Sequence, residues 1–153
     1  MALFVATAGG VGYAPVAPGT FGSAAAIPIF VLLSRLDPLL YSLTVVALVF
    51  LGIWAADMTE GLFGRKDDGR IVIDEVVGQL IALAPLALGG GPRGATALVT
   101  GFVAFRLFDI WKPGPVAWAE RHFRGGAGVV LDDVAAGLLA ALVVAALALA
   151  VGQ

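Results

Sequence analysis

The chain contains no cysteine and a single histidine, His122. Without cysteine it can form no disulfide, no thiolate metal site and no cysteine nucleophile. With one histidine it cannot build a site that needs two imidazoles. Any chemistry must therefore be carried by carboxylates, cationic side chains, hydroxyls and the backbone.

Charge is also scarce, since 13% of the 153 residues are charged, 60% are hydrophobic and the mean hydropathy is +1.00. Soluble domains have roughly a quarter charged residues, so this composition predicts a membrane protein. The net charge of −2 argues against a nucleic-acid-binding protein, which needs a basic face. The length fits one domain over residues 1–153.

The chain contains several long apolar runs. Four of them approach the roughly 20 residues that a membrane-spanning helix needs. They are Pro38–Ala56, Glu75–Gly91, Ala95–Trp111 and Asp133–Val151. A fifth run, Thr20–Leu33, is shorter, and Thr20 is expected to cap it. We predict an all-α integral membrane bundle of four to five transmembrane helices with polar loops on the cytoplasmic face.

Threading these helices through a bilayer brings their acidic ends to one side. The long loops Met58–Ile73 and Pro113–Leu131 lie on that side as well. Six basic residues are there and two are opposite: Arg65, Lys66, Arg70, Lys112, Arg121 and Arg124 against Arg35 and Arg93. By the positive-inside rule the acid-bearing side faces the cytoplasm.

Carboxylates in apolar helices are costly and usually mark function. Five of them come from three helices and share one depth: Asp74, Glu75, Asp109, Asp132 and Asp133. Packed together they repel one another, and a divalent cation removes the repulsion; a set of oxygen ligands favours Mg²⁺. The alternative is that these acids only complement the helix dipole. That alternative fails for Asp109, which lies near a helix C-terminus.

A second series, Arg106, Asp109 and Lys112, is spaced i, i+3 and i+6 near the end of one helix. It is either an internal ion pair with Lys112 reaching the membrane interface, or a phosphate clamp beside a metal. The spacing does not decide between the two. The helix opening at Gly19-Thr20 could also bind an anion through backbone N–H groups. Acids, a hard metal and cations at a membrane surface suggest phosphate chemistry on a lipid.

Two glycines follow acids by one helical turn: Gly78 after Asp74, and Gly137 after Asp133. They lie on the same helical faces as those acids. We expect them to permit close helix contact rather than to bind ligand.

Four blocks, in order over nearly the whole chain, carry these features. They are ATAGGVGYAPVAPGTFGS (Ala6–Ser23), DDGRIVIDEVVGQ (Asp67–Gln79), FRLFDIWKPGP (Phe105–Pro115) and GVVLDDVAAG (Gly128–Gly137). In combination they resemble the phosphatidylglycerophosphatase A family. The resemblance implies a multi-pass phosphatase of the bacterial inner membrane, which uses Mg²⁺ to hydrolyse phosphatidylglycerophosphate to phosphatidylglycerol and inorganic phosphate.

The resemblance also implies roles for individual residues. The expected metal ligands are Asp74, Glu75, Asp132 and Asp133. Asp109 and Asp67 are expected to be further ligands, or one of them the base. The residues expected to hold the substrate phosphate are Arg106 and Lys112, assisted by Gly19, Thr20 and Ser23.

Two other functions fit parts of the pattern. A phosphotransferase acting on CDP-activated lipids also uses aspartates across helices, but Asp67-Asp68-Gly69-Arg70 is too compressed for its signature. An ion- or proton-coupled transporter places acids near the membrane midplane between repeats, whereas here they lie at helix ends and no repeat is visible. A purely structural bundle predicts that Asp74→Asn and Asp132→Asn leave all activity unchanged.

Accessibility labelling tests the shared face, because cysteines can be introduced singly into this cysteine-free chain. We expect Asp109→Cys and Asp132→Cys to react with an impermeant reagent from the cytoplasmic side, since both helices deliver them there. Arg35→Cys is the control and should react from the other side. Labelling of positions 109 and 132 from opposite sides would contradict a common site.

Overall fold

The computed structural model describes residues 1–65, 68–89 and 94–151. The elements are α1 (Ala2–Ala6), a 3₁₀ helix (Ala8–Tyr13), α2 (Pro18–Leu33), α3 (Pro38–Phe63), α4 (Ile73–Leu88), α5 (Ala95–Trp111), α6 (Gly114–His122) and α7 (Gly126–Val151). No strand occurs in these ranges. The predicted all-α class is therefore confirmed.

Two helices, α3 and α7, are long and apolar enough to cross a membrane. Each has 26 residues, and most of them are apolar. Helices α2, α4 and α5 have 16, 16 and 17 residues. At about 1.5 Å per residue they fall short of the ~30 Å hydrocarbon core. The expected count of four to five spans stays a prediction.

Helix α4 lies at the centre of the bundle, in contact with α2, α3, α5 and α7. Its side chains Val77, Leu80, Leu83 and Leu86 are fully buried. The outer helices instead expose large apolar side chains, among them Leu43, Phe50, Leu62, Leu138, Leu142 and Leu149. An apolar exterior of this extent needs a cover, and a lipid environment provides one.

Glycine allows α4 and α7 to approach closely. A Cβ placed on Gly137 would lie 2.5 Å from the Gly78 carbonyl oxygen, and one on Gly78 would lie 2.8 Å from the Asp133 carbonyl oxygen. Real side-chain carbons do not come this near to a backbone oxygen, so both positions need glycine here. The expected role of these two glycines in close helix contact is confirmed.

The start of α7 is held by α3. The backbone N–H of Gly126 donates to Asp57 Oδ1 at 3.1 Å. Gly125 precedes it with φ +60°, a backbone conformation that glycine adopts without strain. The first N–H groups of a helix lack partners within the helix, and a carboxylate there also complements the helix dipole. Asp57 therefore joins the two long helices at the end of the bundle that carries the acids.

Three boundaries differ from the sequence expectation. Helix α3 continues past Ala56 to Phe63, where Gly64 caps it in the left-handed conformation. Helix α7 begins at Gly126 rather than Asp133, and the expected loop 113–131 contains α6. The physical reason is that Asp57 and the Asp132-Asp133 pair bound the predicted apolar runs, whereas helical hydrogen bonding continues through these polar residues. Helix α5 ends at Trp111, the last residue of the predicted run, with Lys112 as its left-handed C-cap before Pro113.

Gly137→Ala should destabilise the bundle by about 1–3 kcal/mol, because its Cβ must displace the backbone of α4. Gly61→Ala is the matched control, since it also lies inside a helix but no atom lies within 4 Å of its added Cβ. It should be neutral or stabilising by up to about 1 kcal/mol. Thermal unfolding in detergent measures both. Equal stability of the two variants would contradict the close contact.

Candidate acid–cation site

Three carboxylates from α4 and α7 form the acid cluster, which we define as Asp74, Glu75 and Asp133. One oxygen from each lies within 4.8 Å of the others. Asp74 and Glu75 are in the first turn of α4, and Asp133 lies about two turns into α7. Because Asp133 is beyond the first turn, the helix dipole does little to offset its charge. The acids on α7 therefore do not open a helix, contrary to expectation.

The acid cluster is poorly compensated within the described chain. Asp74 and Asp133 are buried, and Glu75 is half-buried. Asp74 Oδ1, Glu75 Oε2 and Asp133 Oδ2 are inaccessible and have no hydrogen-bond partner among the described residues. Burying an ionised carboxylate without a partner is strongly unfavourable. Three converging carboxylates with unpartnered oxygens are a donor set that suits a hard divalent cation such as Mg²⁺.

Asp132 is not part of the acid cluster, because both of its carboxylate oxygens accept hydrogen bonds from other groups. Its Oδ2 accepts from Lys112 Nζ at 2.8 Å, and its Oδ1 accepts from the backbone N–H of Asp133 at 3.0 Å. Lys112 Nζ also donates to Glu120 Oε1 at 2.8 Å. The structure thus brings three of the four expected metal ligands together and places the fourth beside a cation.

Helix α5 adds a guanidinium and a further acid. Arg106 Nη1 is 2.7 Å from Asp109 Oδ2, and both side chains are mostly buried. The charge of Asp109 acts on Glu75 and Asp133, so carboxylates from α4, α5 and α7 do converge. The Arg106–Asp109 ion pair exists, as one sequence interpretation held. Arg106 Nε is nevertheless buried without a partner among the residues described.

The start of α2 packs directly against these side chains. A Cβ on Gly19 would overlap Glu75 Oε1 and would lie 3.4 Å from Arg106 Nη1. Ser23 Oγ donates to the Gly19 carbonyl oxygen at 2.9 Å and accepts from Arg106 Nη1 at 3.5 Å. The backbone at Gly19 therefore lies against both the acid cluster and the guanidinium, and a side chain there would displace Glu75.

Thr20 does not cap α2. The helix begins at Pro18, and its N-cap is Ala17 in the left-handed conformation with φ +47°. Thr20 lies in the first turn, where its N–H donates to the Ala17 carbonyl at 2.9 Å. Proline at the first position supplies the fixed φ that starts a helix, which is why the boundary lies two residues earlier than expected.

Asp67, an expected base or ligand, lies outside the described residues. Its neighbour Asp68 forms a bidentate pair with Arg70, at 2.7 Å to Nε and 2.8 Å to Nη2. These hydrogen bonds lower the pKa of the Asp68 carboxyl to about 2. The Arg70 guanidinium also lies over the Phe63 ring, 3.6 Å from its centroid. Asp68 is therefore committed to a local ion pair.

Sequence reasoning missed two residues near the site. Glu120 shares Lys112 with Asp132, but it lies in α6, which was expected to be loop. Gln79 is fully buried, and neither its Nε2 nor its Oε1 has a partner in the part of the chain that the structure describes. A signal for Gln79 was available, since it is polar and follows Glu75 by one helical turn in an otherwise apolar helix.

Known proteins resemble the chain over most of its length. A family model for phosphatidylglycerophosphatase A matches residues 4–148. Phosphatidylglycerophosphatase A of Escherichia coli is 39% identical over 132 residues, which are 86% of this chain and 74% of that protein. The Haemophilus influenzae protein of that name is 36% identical, with coverages of 86% and 78%. A putative phosphatidylinositol-3-phosphatase of Bacteroides thetaiotaomicron is 40% identical, with coverages of 94% and 91%.

No solved structure matches the chain at a significant level. The family matches define a phosphatase, that is, a phosphoric monoester hydrolase. The chain belongs to the phosphatidylglycerophosphatase A family.

Gly19→Ala should lower phosphate release by roughly 100-fold, because its Cβ moves the Glu75 carboxylate away from the acid cluster. The midpoint of thermal unfolding should stay near that of the wild type, since the atom displaced is the end of one side chain. Gly61→Ala, with open space around its added Cβ, is the control and should keep full activity. Full phosphate release by a folded Gly19→Ala protein would show that Glu75 is not needed where it lies.

Proposed function

We propose that the chain hydrolyses the phosphate monoester of phosphatidylglycerophosphate, releasing phosphatidylglycerol and inorganic phosphate, with Mg²⁺ as its cofactor. The observation that carries the proposal is the acid cluster with its unpartnered oxygens beside Arg106. Family membership supports the phosphatase class and points to this lipid. Because the family accounts for the pattern of acids, neither a lipid phosphotransferase nor a transporter is needed to explain it.

The acid cluster is the proposed cation site. Asp74, Glu75 and Asp133 would each contribute carboxylate oxygen, which is the ligand type that Mg²⁺ prefers. When bound, the ion would supply charge neutralisation at a phosphoryl oxygen. Asp132, an expected fourth ligand, is proposed to hold Lys112 toward the same pocket instead.

Arg106 and Lys112 are the proposed phosphate-binding cations. Arg106 lies beside Glu75 and beside Ser23, which is near the start of α2. A phosphate bound there would contact the guanidinium, the backbone N–H groups at Gly19-Thr20 and the Ser23 hydroxyl. Lys112 adds a point charge near the end of α5. Each of these cations is paired with an acid, Arg106 with Asp109 and Lys112 with Asp132. Neither buried positive charge is therefore unpaired before a phosphate binds.

Asp109 is the proposed base. It is partly exposed, its Oδ2 is oriented by Arg106, and its charge acts on the acid cluster. It is therefore placed to orient a water and take its proton as that water attacks phosphorus. Asp67, for which the family resemblance implies a ligand or base role, is the alternative proton acceptor.

We further propose that the chain is a single multi-pass domain of the bacterial inner membrane with the site facing the cytoplasm. The lengths of α3 and α7 and the apolar exterior support a membrane location. The shorter helices α2, α4 and α5 would complete the bundle around the buried core. The excess of basic residues on the acid-bearing side supports the orientation.

Phosphate release from phosphatidylglycerophosphate by the purified protein in detergent tests the function. We expect release with Mg²⁺ and none with a chelator. Asp74→Asn and Asp133→Asn should each lower it roughly 100-fold or more, because several kcal/mol of charge stabilisation are lost. Asp37→Asn is the matched control, since Asp37 only caps α3 and asparagine caps equally well.

Several results would overturn parts of the proposal. No release under any metal would exclude the reaction, and release that withstands the chelator would exclude the cofactor. Faster hydrolysis of a phosphatidylinositol 3-phosphate than of phosphatidylglycerophosphate would move the substrate to the one named for the Bacteroides relative. An acyl phosphate trapped on an aspartate during turnover would replace water attack by carboxylate attack.

A further inference from the structure

Gln79 is an unexplained polar residue in the most buried helix of the bundle. It is completely inaccessible, and both its amide nitrogen and its amide oxygen are without partners within the described residues. A buried amide that makes no hydrogen bond is unfavourable, whereas an apolar side chain of the same size would not be. The residue therefore needs a partner that forms when the site is in use.

The partners that Gln79 lacks are available beside it. Glu75 Oε2 is an unpartnered acceptor, and Gln79 follows it by four residues, so the two side chains are neighbours on α4. Arg106 Nε is an unpartnered donor on α5. The residues that precede Gln79 and Arg106 in the chain are in contact, because a Cβ on Gly78 would lie 2.5 Å from the ring of Phe105, so α4 and α5 meet next to these two positions.

The donors and acceptors match in kind. A glutamine amide offers N–H donors and one carbonyl acceptor. The carboxylate of Glu75 requires a donor, and the Nε–H of Arg106 requires an acceptor. One amide satisfies both, either directly or through a single buried water. Glu75 and Arg106 already meet at Gly19, so the link would close a polar ring beneath the pocket.

We infer that Gln79 is a positioning residue that joins Glu75 to Arg106. Its N–H donates to the carboxylate and its carbonyl accepts from Nε–H. This would fix the carboxylate toward the cation site and leave Nη2 of the guanidinium for phosphate, since Nη1 is paired with Asp109. The inference rests on the proposed function, because it assigns Gln79 to the same pocket.

The test replaces Gln79 by methionine, which keeps the length and volume of the side chain and removes its hydrogen bonds. Mn²⁺ binding without substrate, followed by electron paramagnetic resonance, should weaken by about 10- to 100-fold, as for other partners of metal ligands. The value of kcat/KM for phosphate release should fall by a similar factor. Leu80→Met is the control, a volume-conserving change at the next buried position, and should alter neither quantity.

Thermal unfolding separates positioning from packing. Gln79→Met should unfold no earlier than the wild type, because an unpartnered amide is removed and the volume is kept. A folded Gln79→Met protein with wild-type Mn²⁺ affinity and kcat/KM would overturn the inference. A wild type that neither binds Mn²⁺ nor releases phosphate would instead overturn the proposed function.

A measurement on the wild type covers the case in which the variant does not fold. The chain has two glutamines, Gln79 and Gln153, and no asparagine. Selective ¹⁵N labelling therefore gives two side-chain amide pairs, and Gln153→Glu assigns them. The Gln79 pair should exchange slowly with solvent and shift when Mg²⁺ and inorganic phosphate are added. A pair that does not respond to saturating Mg²⁺ and phosphate would contradict the link.

Discussion

The close approach of α4 and α7 is the constraint on which the site depends. Gly78 and Gly137 lack the side chains that would separate the two backbones, since a Cβ on Gly137 would lie only 2.5 Å from the carbonyl oxygen of Gly78. Asp74 and Asp133 each lie one turn away, and the helix contact therefore sets the distance between their carboxylates. A wider separation would let water or side chains enter between the acids. The proposed cation site would then lose its converging oxygens.

Charge compensation around this contact is unequal, and the inequality supports the proposed cation site. Lys112 lies between Asp132 and Glu120, and Arg106 is paired with Asp109. The acid cluster lies beside Arg106, yet each of its three acids keeps a buried oxygen with no hydrogen-bond partner among the described residues. Buried charge without a partner is the least favourable arrangement in the bundle. Binding a divalent cation and a phosphate ester would remove that cost, and folding and function therefore depend on the same side chains.

The helix boundaries show how much of the fold the apolar pattern of the sequence predicts. Apolar periodicity located α5 at its observed ends, because Pro113 stops a helix by local sterics. It ended α3 seven residues early, because Asp57, Thr59 and Glu60 interrupt the apolar run, and it began α7 seven residues late, because the Asp132-Asp133 pair separates Val129–Leu131 from the apolar run that follows. It placed α6 in a loop, although the burial of Val116 and Ala119 against α7 stabilises that helix. In each case tertiary packing or backbone hydrogen bonding extended a helix beyond its apolar run.

The all-α class, the glycines at the helix contact and the residue types of the site follow from the sequence alone, because they depend on composition and on spacing along one helix. Those local rules also brought Arg106 and Asp109 together. Which acids share a pocket was decided only by the tertiary structure. Asp132 and Asp133 are adjacent in sequence, yet a rotation of about 100° between neighbours on a helix directs one to Lys112 and the other to Asp74. The partners on each side come from other helices, and no spacing within α7 contains that information.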